Sequence, residues 1–238
     1  DITPNYRSES SGFISNLEQK VVIKSPEYAS YEQVTYIRDK YQEFEDALFS
    51  EDGFNPTTGK HYSEYLDIES AIHKYIVEEI SMNLDTALTS QYFYKQEDAI
   101  SDKFYWGPVW DFDKTLGVEA ESRAGVDLSV PDEYIHAGSK IRESDVLYGL
   151  YQKEDFREAL AESFALEACP IIVREIEEII PDTRDRIFES SKMNLVRWNY
   201  YGDTSLDEKI AYYLSGVENI QNFLKYRMAF LKNEWNIE

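Results

Sequence analysis

Three carboxylates stand where one predicted element passes into the next: Asp85, Asp111 and Asp113, all within the stretch NLDTALTSQYFYK…GPVWDFDKTLG, residues 83–117. Asp111 and Asp113 lie two apart. In an extended segment both side chains would leave the same face, as two carboxylates sharing one divalent cation would. Asp85 follows an apolar helix together with Asn83, and a hairpin folded back on that helix would bring Asp85 near the Asp111 pair. Oxygen ligands without a His or Cys cluster argue for Mg2+, Mn2+ or Ca2+ and against zinc. The same residues have a plain structural reading, because Asp commonly follows the end of an element and caps the next. The aromatic stripe at 92–94 and 104–110 reads first as a packed hairpin face and only second as a stacking platform.

These carboxylates need elements to hold them. QYFYK (91–95) and KFYWGPVW (103–110) are aromatic strand candidates joined by the polar QEDAISD, which predicts a β-hairpin. Upstream, Asp67 is placed to cap a helix in which Ile68, Ile72, Ile76 and Ile80 stack at i+4, a central and well-buried element. Before it, Ser30 and Gln33 form a capping-box pair, followed by the stripe Val34, Ile37, Tyr41, Phe44 and Leu48, with the helix ending near Ser50. EQKVVIKS (18–25) reads as a short strand stopped by Pro26, residues 1–16 as polar and Ser-rich, and 52–60 as loop. Residues 118–142 read as irregular.

From Ser144 the chain reads as mostly helix. Phe156, Leu160 and Phe164 mark one face up to Pro170. Ile172, Ile176 and Ile179 mark another, stopped by Pro181, after which Asp182 would cap a further helix. A final helix is expected from about Ser205 to Trp235, with Leu214, Val217, Ile220, Leu224 and Leu231 inward. The fold class is therefore α+β and mainly helical, with a small central β-hairpin. Residues 1–238 form one domain: 1–143 is a strand, helix and hairpin part with the acidic site, and 144–238 is a helical part.

Composition narrows the function classes. The 238 residues hold 24 Lys+Arg against 46 Asp+Glu, a net charge of −22. That field has the wrong sign for phosphate backbones, so nucleic acid is a poor partner. No run of about 18 apolar residues exists to span a membrane, and an acidic surface is repelled by anionic lipid. With 42% hydrophobic and 15% aromatic residues the chain can bury a sizeable core rather than remain disordered. The single cysteine, Cys169, excludes internal disulfides; it lies among Ala, Pro and Ile and reads as core filler.

The stretches VVIKSPE, EFEDALFS, HYSEYLDIESAIHKYIVEEISMNLD, SQYFYK, GPVWDFDKTLG and SKMNLVRW, with the final helix containing Arg227, together resemble the CotH-like (spore coat protein H) atypical protein kinase family, in the form attached to secreted or cellulosome-associated proteins of anaerobic bacteria. The similarity extends over most of residues 17–235. It implies the large, catalytic lobe of a kinase-like fold that moves the γ-phosphoryl of ATP to a Ser or Thr of a secreted or surface protein, with Mg2+ or Mn2+. By the same resemblance Asp85 is the catalytic-loop Asp, Asp111 the metal-holding Asp, and Asp113 an assisting ligand. Asn83 would hold the loop, and Ser90 stands where the kinase pattern has a metal-binding Asn. No G-x-G-x-x-G or G-x-x-x-x-G-K-[ST] occurs. Lys20 and Lys24 precede the first strong helix without a glycine-rich partner, so a nucleotide-covering lobe is expected before Asp1. The implied partners are a protein substrate or a scaffold protein, at an extracellular or cell-surface location.

Two other function classes fit parts of the pattern. One is a non-catalytic scaffold module of a cellulosome-type assembly, which Ser90 and the acidic surface favour. The other is glycoside hydrolysis by paired carboxylates beside aromatic platforms. Among the remaining residues, His61, His73 and His136 share no ligand spacing, and His73 reads as a half-buried packing residue. Of Arg184, Arg186, Arg197 and Arg227, Arg197 is expected to pair with a buried carboxylate.

Overall fold

The computed structural model describes residues 11–83, 86, 90–117, 122–123, 126–127, 131–132, 145–199 and 201–238. Among these, three two-stranded antiparallel ribbons accompany a helical body, in agreement with the α+β expectation. β1 (Gly12–Ile14) pairs with β2 (Lys20–Val22), and β3 (Phe93–Lys95) with β4 (Phe104–Trp106). β5 (Ser122–Arg123) pairs with β6 (Val126–Asp127) inside the stretch read as irregular. β1 also falls in a stretch read as polar and Ser-rich. Its one inward residue, Phe13, packs against Tyr41 at 5.9 Å, and a three-residue strand with one core contact leaves almost no periodic signal.

α1 (Tyr31–Leu48) starts at the Ser30–Gln33 capping box, with both reciprocal hydrogen bonds formed. α2 (Ile68–Ser81) starts at Asp67, whose carboxylate accepts from Ser70 N–H at 2.9 Å. α2 is the axis of the core. Only Glu69, His73 and Val77, spaced four apart along one strip, are exposed. Tyr75 stacks on Tyr151 at 5.8 Å and meets Phe156 edge-on at 5.7 Å.

The helical part departs from expectation at both prolines. After α3 (Val146–Tyr151), capped by Asp145, helical backbone runs unbroken from Glu154 to Trp198. It comprises α4 (Glu154–Ser163), α5 (Cys169–Arg174) and α6 (Ile180–Trp198), separated by π-helical turns at Phe164–Ala168 and Glu175–Ile179. Pro170 and Pro181 each stand two residues after one of these turns. A proline in a regular helix lacks a donor and crowds the carbonyl four residues back. The wider π turn reroutes hydrogen bonding one residue further, as in Cys169 N–H to Phe164 C=O, so the chain absorbs the proline without stopping. Asp182 is accordingly a residue within α6 rather than a cap.

α7 (Leu206–Glu234) returns antiparallel to α6 and then crosses α2. Leu231 is fully buried, as expected, whereas Leu214 faces solvent and Phe223 and Arg227 take the inward positions. Phe164 meets Trp235 edge-on at 4.9 Å, closing the helical layer at its C-terminal end. No described helix is long and apolar enough to cross a membrane.

Candidate active site

The hairpin folds back along α2. At its near end Asp67 N–H donates to Phe104 C=O at 2.8 Å, and Trp106 N–H donates to Ser70 Oγ at 3.1 Å. At its far end Leu116 N–H donates to Ser81 C=O at 2.9 Å. β4 and the residues after it therefore travel the length of α2, from its first turn to its last. α2 ends because Met82 takes a left-handed conformation, φ 54°, and Asn83 N–H closes on Glu78 C=O at 3.1 Å.

Asp111 and Asp113 sit on the segment delivered to that end, and both are exposed. The segment is not extended: Asp111 has φ 65°, and Asp113–Lys114 and Leu116–Gly117 lie in turns. Asp111 and Asp113 therefore do not leave one face as alternate residues of a strand would, and the turn places each carboxylate instead. Thr115 Oγ1 donates to Phe112 C=O at 2.8 Å and tightens the turn. Gly117 ends it at φ 69°, where a Cβ would stand 2.7 Å from Phe223 of α7. The ring of Trp110 rests on Tyr92 at 5.8 Å. Tyr92 in turn lines a hollow of about 430 Å3 between β2, α1 and β3, together with Tyr41, Phe93, Gly107 and Pro108.

Asn83 is buried beside Glu78. Ser90 is buried and left-handed, φ 61°, just ahead of β3. Its neighbour Gln91 donates to both oxygens of the buried Asp145 carboxylate, at 3.1 and 3.3 Å, anchoring this strand entry to the cap of α3. Asp85 lies outside the described residues, as does His136. Asn83 and the 111–117 turn are brought together at the end of α2, while Ser90 enters through the far side of the hairpin.

Beneath the turn lies a charged layer that the sequence reading missed. Lys74 and Glu78, one turn apart on α2 and both buried, form an ion pair. The Lys74 ammonium also lies 5.8 Å from the centre of the Phe112 ring. Burial pushes the Glu78 carboxyl up, and the charge of Lys74 beside it offsets part of that. A polar i, i+4 pair set into an otherwise apolar helix was the available signal. Next to it Glu79 pairs with Arg227, so Arg227, not Arg197, holds the buried carboxylate. Arg197 instead lies 5.3 Å over the exposed Trp198 ring. His73 is exposed, facing Glu167 at 3.1 Å, and Cys169 is half-buried against the core.

Among the described residues, no three His, Cys, Asp or Glu side chains gather as a metal cage. Two exposed carboxylates on a fixed turn fit a hard cation of the Mg2+ or Mn2+ type, which is held by one or two carboxylates plus phosphate oxygens rather than by an all-protein cage. Each buried cation below is matched by a glutamate from α2, so the layer gives the turn no net positive charge.

No curated protein and no solved structure matches the chain. A family model described as CotH kinase protein matches residues 5–231. The match takes in the α2 end, the hairpin and the Asp111–Asp113 turn together with the helices that bury them, and the chain belongs to the CotH kinase family, whose members are atypical kinase-like proteins.

Proposed function

We propose that the chain is the catalytic lobe of a CotH-type kinase that moves the γ-phosphoryl of ATP to a Ser or Thr hydroxyl of a secreted or cell-surface protein. The observation that carries this reading is the 2.9 Å hydrogen bond from Leu116 N–H to Ser81 C=O, which closes the Asp111–Asp113 turn onto the end of α2, from which the chain leads through Asn83 to Asp85. In this reading Asp85 takes the proton of the acceptor hydroxyl as its oxygen bonds to phosphorus and the bond to the β-phosphate oxygen breaks. Asp111, with Asp113 assisting, holds the divalent cation, whose chemistry when bound is to neutralise phosphate charge. Asn83 holds the segment that leads to Asp85, and Ser90 stands where the kinase pattern has its second metal-binding side chain. The hollow beside Tyr92 is of a size that takes a nucleoside. The secreted setting, and a partner in a cellulosome-type assembly, rest on the form of the family that the sequence resembles.

A chain of charge −22 repels free ATP, so affinity should require the cation. Calorimetry of ATP binding, with Mg2+ and with EDTA, on the wild-type chain and on Asp111→Asn tests the reading. Binding is expected only with Mg2+ and only in wild type. Equal binding in EDTA, or none by a folded wild-type chain, would overturn it and leave a non-catalytic scaffold module as the function.

A further inference from the structure

The geometry points to the Lys74–Glu78 pair as a clamp on two chain segments of the site: its ammonium end bears on Phe112, between Asp111 and Asp113, and its other residue, Glu78, receives the Asn83 N–H on its backbone carbonyl at 3.1 Å. As a statement about catalysis this rests on the proposed kinase reading; as a statement about the turn it does not.

The pair is otherwise hard to account for. Both side chains are almost fully excluded from solvent, at 2% and 0% exposure. Taking two charges out of water costs more than one contact commonly returns, and apolar residues of similar volume often serve stability as well or better. A helix meant only to pack here could have continued its isoleucine and tyrosine pattern through positions 74 and 78. Instead the two positions carry opposite charges, and each residue is tied to a different chain segment. The ammonium faces the ring of Phe112, a contact that is directional and strengthens when desolvated. Glu78 C=O accepts the Asn83 N–H at 3.1 Å just where Met82 turns left-handed and α2 stops. Because the two ends sit one turn apart on a rigid helix, the spacing between the 83 and 111–113 segments is fixed by the helix rather than by loops. That division of labour suits positioning residues, which need not touch substrate or metal themselves.

Replacing both residues together, Lys74→Met with Glu78→Leu, removes the charges while leaving the volume, so the fold should survive. The first readout is amide hydrogen exchange of peptides spanning 111–117, with no ligand present. At least tenfold faster exchange there is expected, with exchange in α1 and α7 unchanged and the thermal midpoint within a few degrees. The second readout is Mg2+-dependent ATP affinity, expected to fall at least tenfold. Should the double variant misfold, Phe112→Leu removes the ring and keeps an apolar side chain, and the same rise in exchange at 113–117 is expected. Wild-type exchange of the turn in a folded variant overturns the clamp whatever the nucleotide result. Faster exchange in a chain whose wild type binds no nucleotide sustains the clamp and overturns the kinase reading instead.

Discussion

Arg227 on α7 and Glu79 on α2, 148 residues apart, form a fully buried pair at 2.7 Å, and the same guanidinium donates from Nε to the Glu79 carbonyl at 2.8 Å and from Nη1 to the Pro131 carbonyl at 3.0 Å. One side chain thus ties the last helix to the central helix and to the stretch that follows the β5–β6 ribbon. The planar fork of arginine allows these three bonds at once, which an ammonium on a flexible stem could not reproduce with the same geometry.

Arg227→Met is therefore expected to destabilise the chain by about 3–5 kcal/mol, because it leaves Glu79 buried without its partner. Arg227→Met combined with Glu79→Gln should cost clearly less than the single change. Urea unfolding of wild type, both single variants and the double variant, compared as a double-mutant cycle, checks this. Equal losses in the single and double variants would show that packing, not the stranded charge, sets the cost.

Gly117→Ala should act on the site through α7. The residue is left-handed, and its missing Cβ would meet Phe223 at 2.7 Å. Strain and overpacking together suggest a loss of about 1–3 kcal/mol. ATP affinity should fall along with the unfolding midpoint, since the strain is relieved by shifting the turn that carries Asp111 and Asp113. A variant with wild-type stability would show that the turn and α7 can move apart freely.

Acid should loosen the hairpin from α1. Lys40 of α1 bonds Asp102 at 2.7 Å, Lys95 of β3 reaches Asp102 at 3.5 Å and pairs with Asp98, and Tyr36 donates to Asp98. Burial pushes the Asp102 carboxyl up, but the hydrogen bond and charge of Lys40, with Lys95, outweigh it and hold the group below its ordinary value. Asp98 is lowered by Lys95 first and Tyr36 second. A carboxyl depressed by folding contributes stability above its unfolded value and loses it as pH falls through its folded one. Asp102→Asn should accordingly be destabilising near pH 7, by about 1 kcal/mol or less because the carboxylate is partly exposed and screened. The difference from wild type should shrink as pH falls below the ordinary aspartate value of about 3.9. Thermal midpoints of both proteins across pH 7 to 2.5 test the sign.

Ser90→Asn tests whether the missing kinase-pattern side chain can be returned. Ser90 already adopts a left-handed backbone, which Asn occupies more readily than most residues. The backbone should accept the change with stability altered by about 1 kcal/mol or less. If the site holds metal as proposed, Mg2+-dependent ATP affinity should rise. An unchanged affinity in a folded variant would place Ser90 outside the metal's reach.

Much of the fold could be read locally because its signals are local. The Ser30–Gln33 box, the Asp67 cap, the isoleucine stack of α2 and the paired aromatic strands each depend on residues within a few positions, and each stands where the spacing placed it. The same reading failed at Pro170 and Pro181. A missing N–H predicts a break only when the helix keeps regular register, and two π turns change that register. It also chose Arg197 over Arg227, because the neighbours that decide burial of an arginine on α7 are on α2 and lie 148 residues away in the chain.

The sequence by itself determined α1, α2 and the aromatic hairpin, the helical character of the second half, and the carboxylates that mark the acidic segment, since backbone preference and side-chain chemistry are properties of short stretches. Only the tertiary structure decided that the segment from β4 to Leu116 runs the length of α2, that Asp111 is left-handed rather than extended, and that Lys74 lies under Phe112 with Glu78 at the turn that Asn83 closes. Those outcomes depend on which surfaces exclude water together, and burial is a property of the whole packed chain that no local spacing contains.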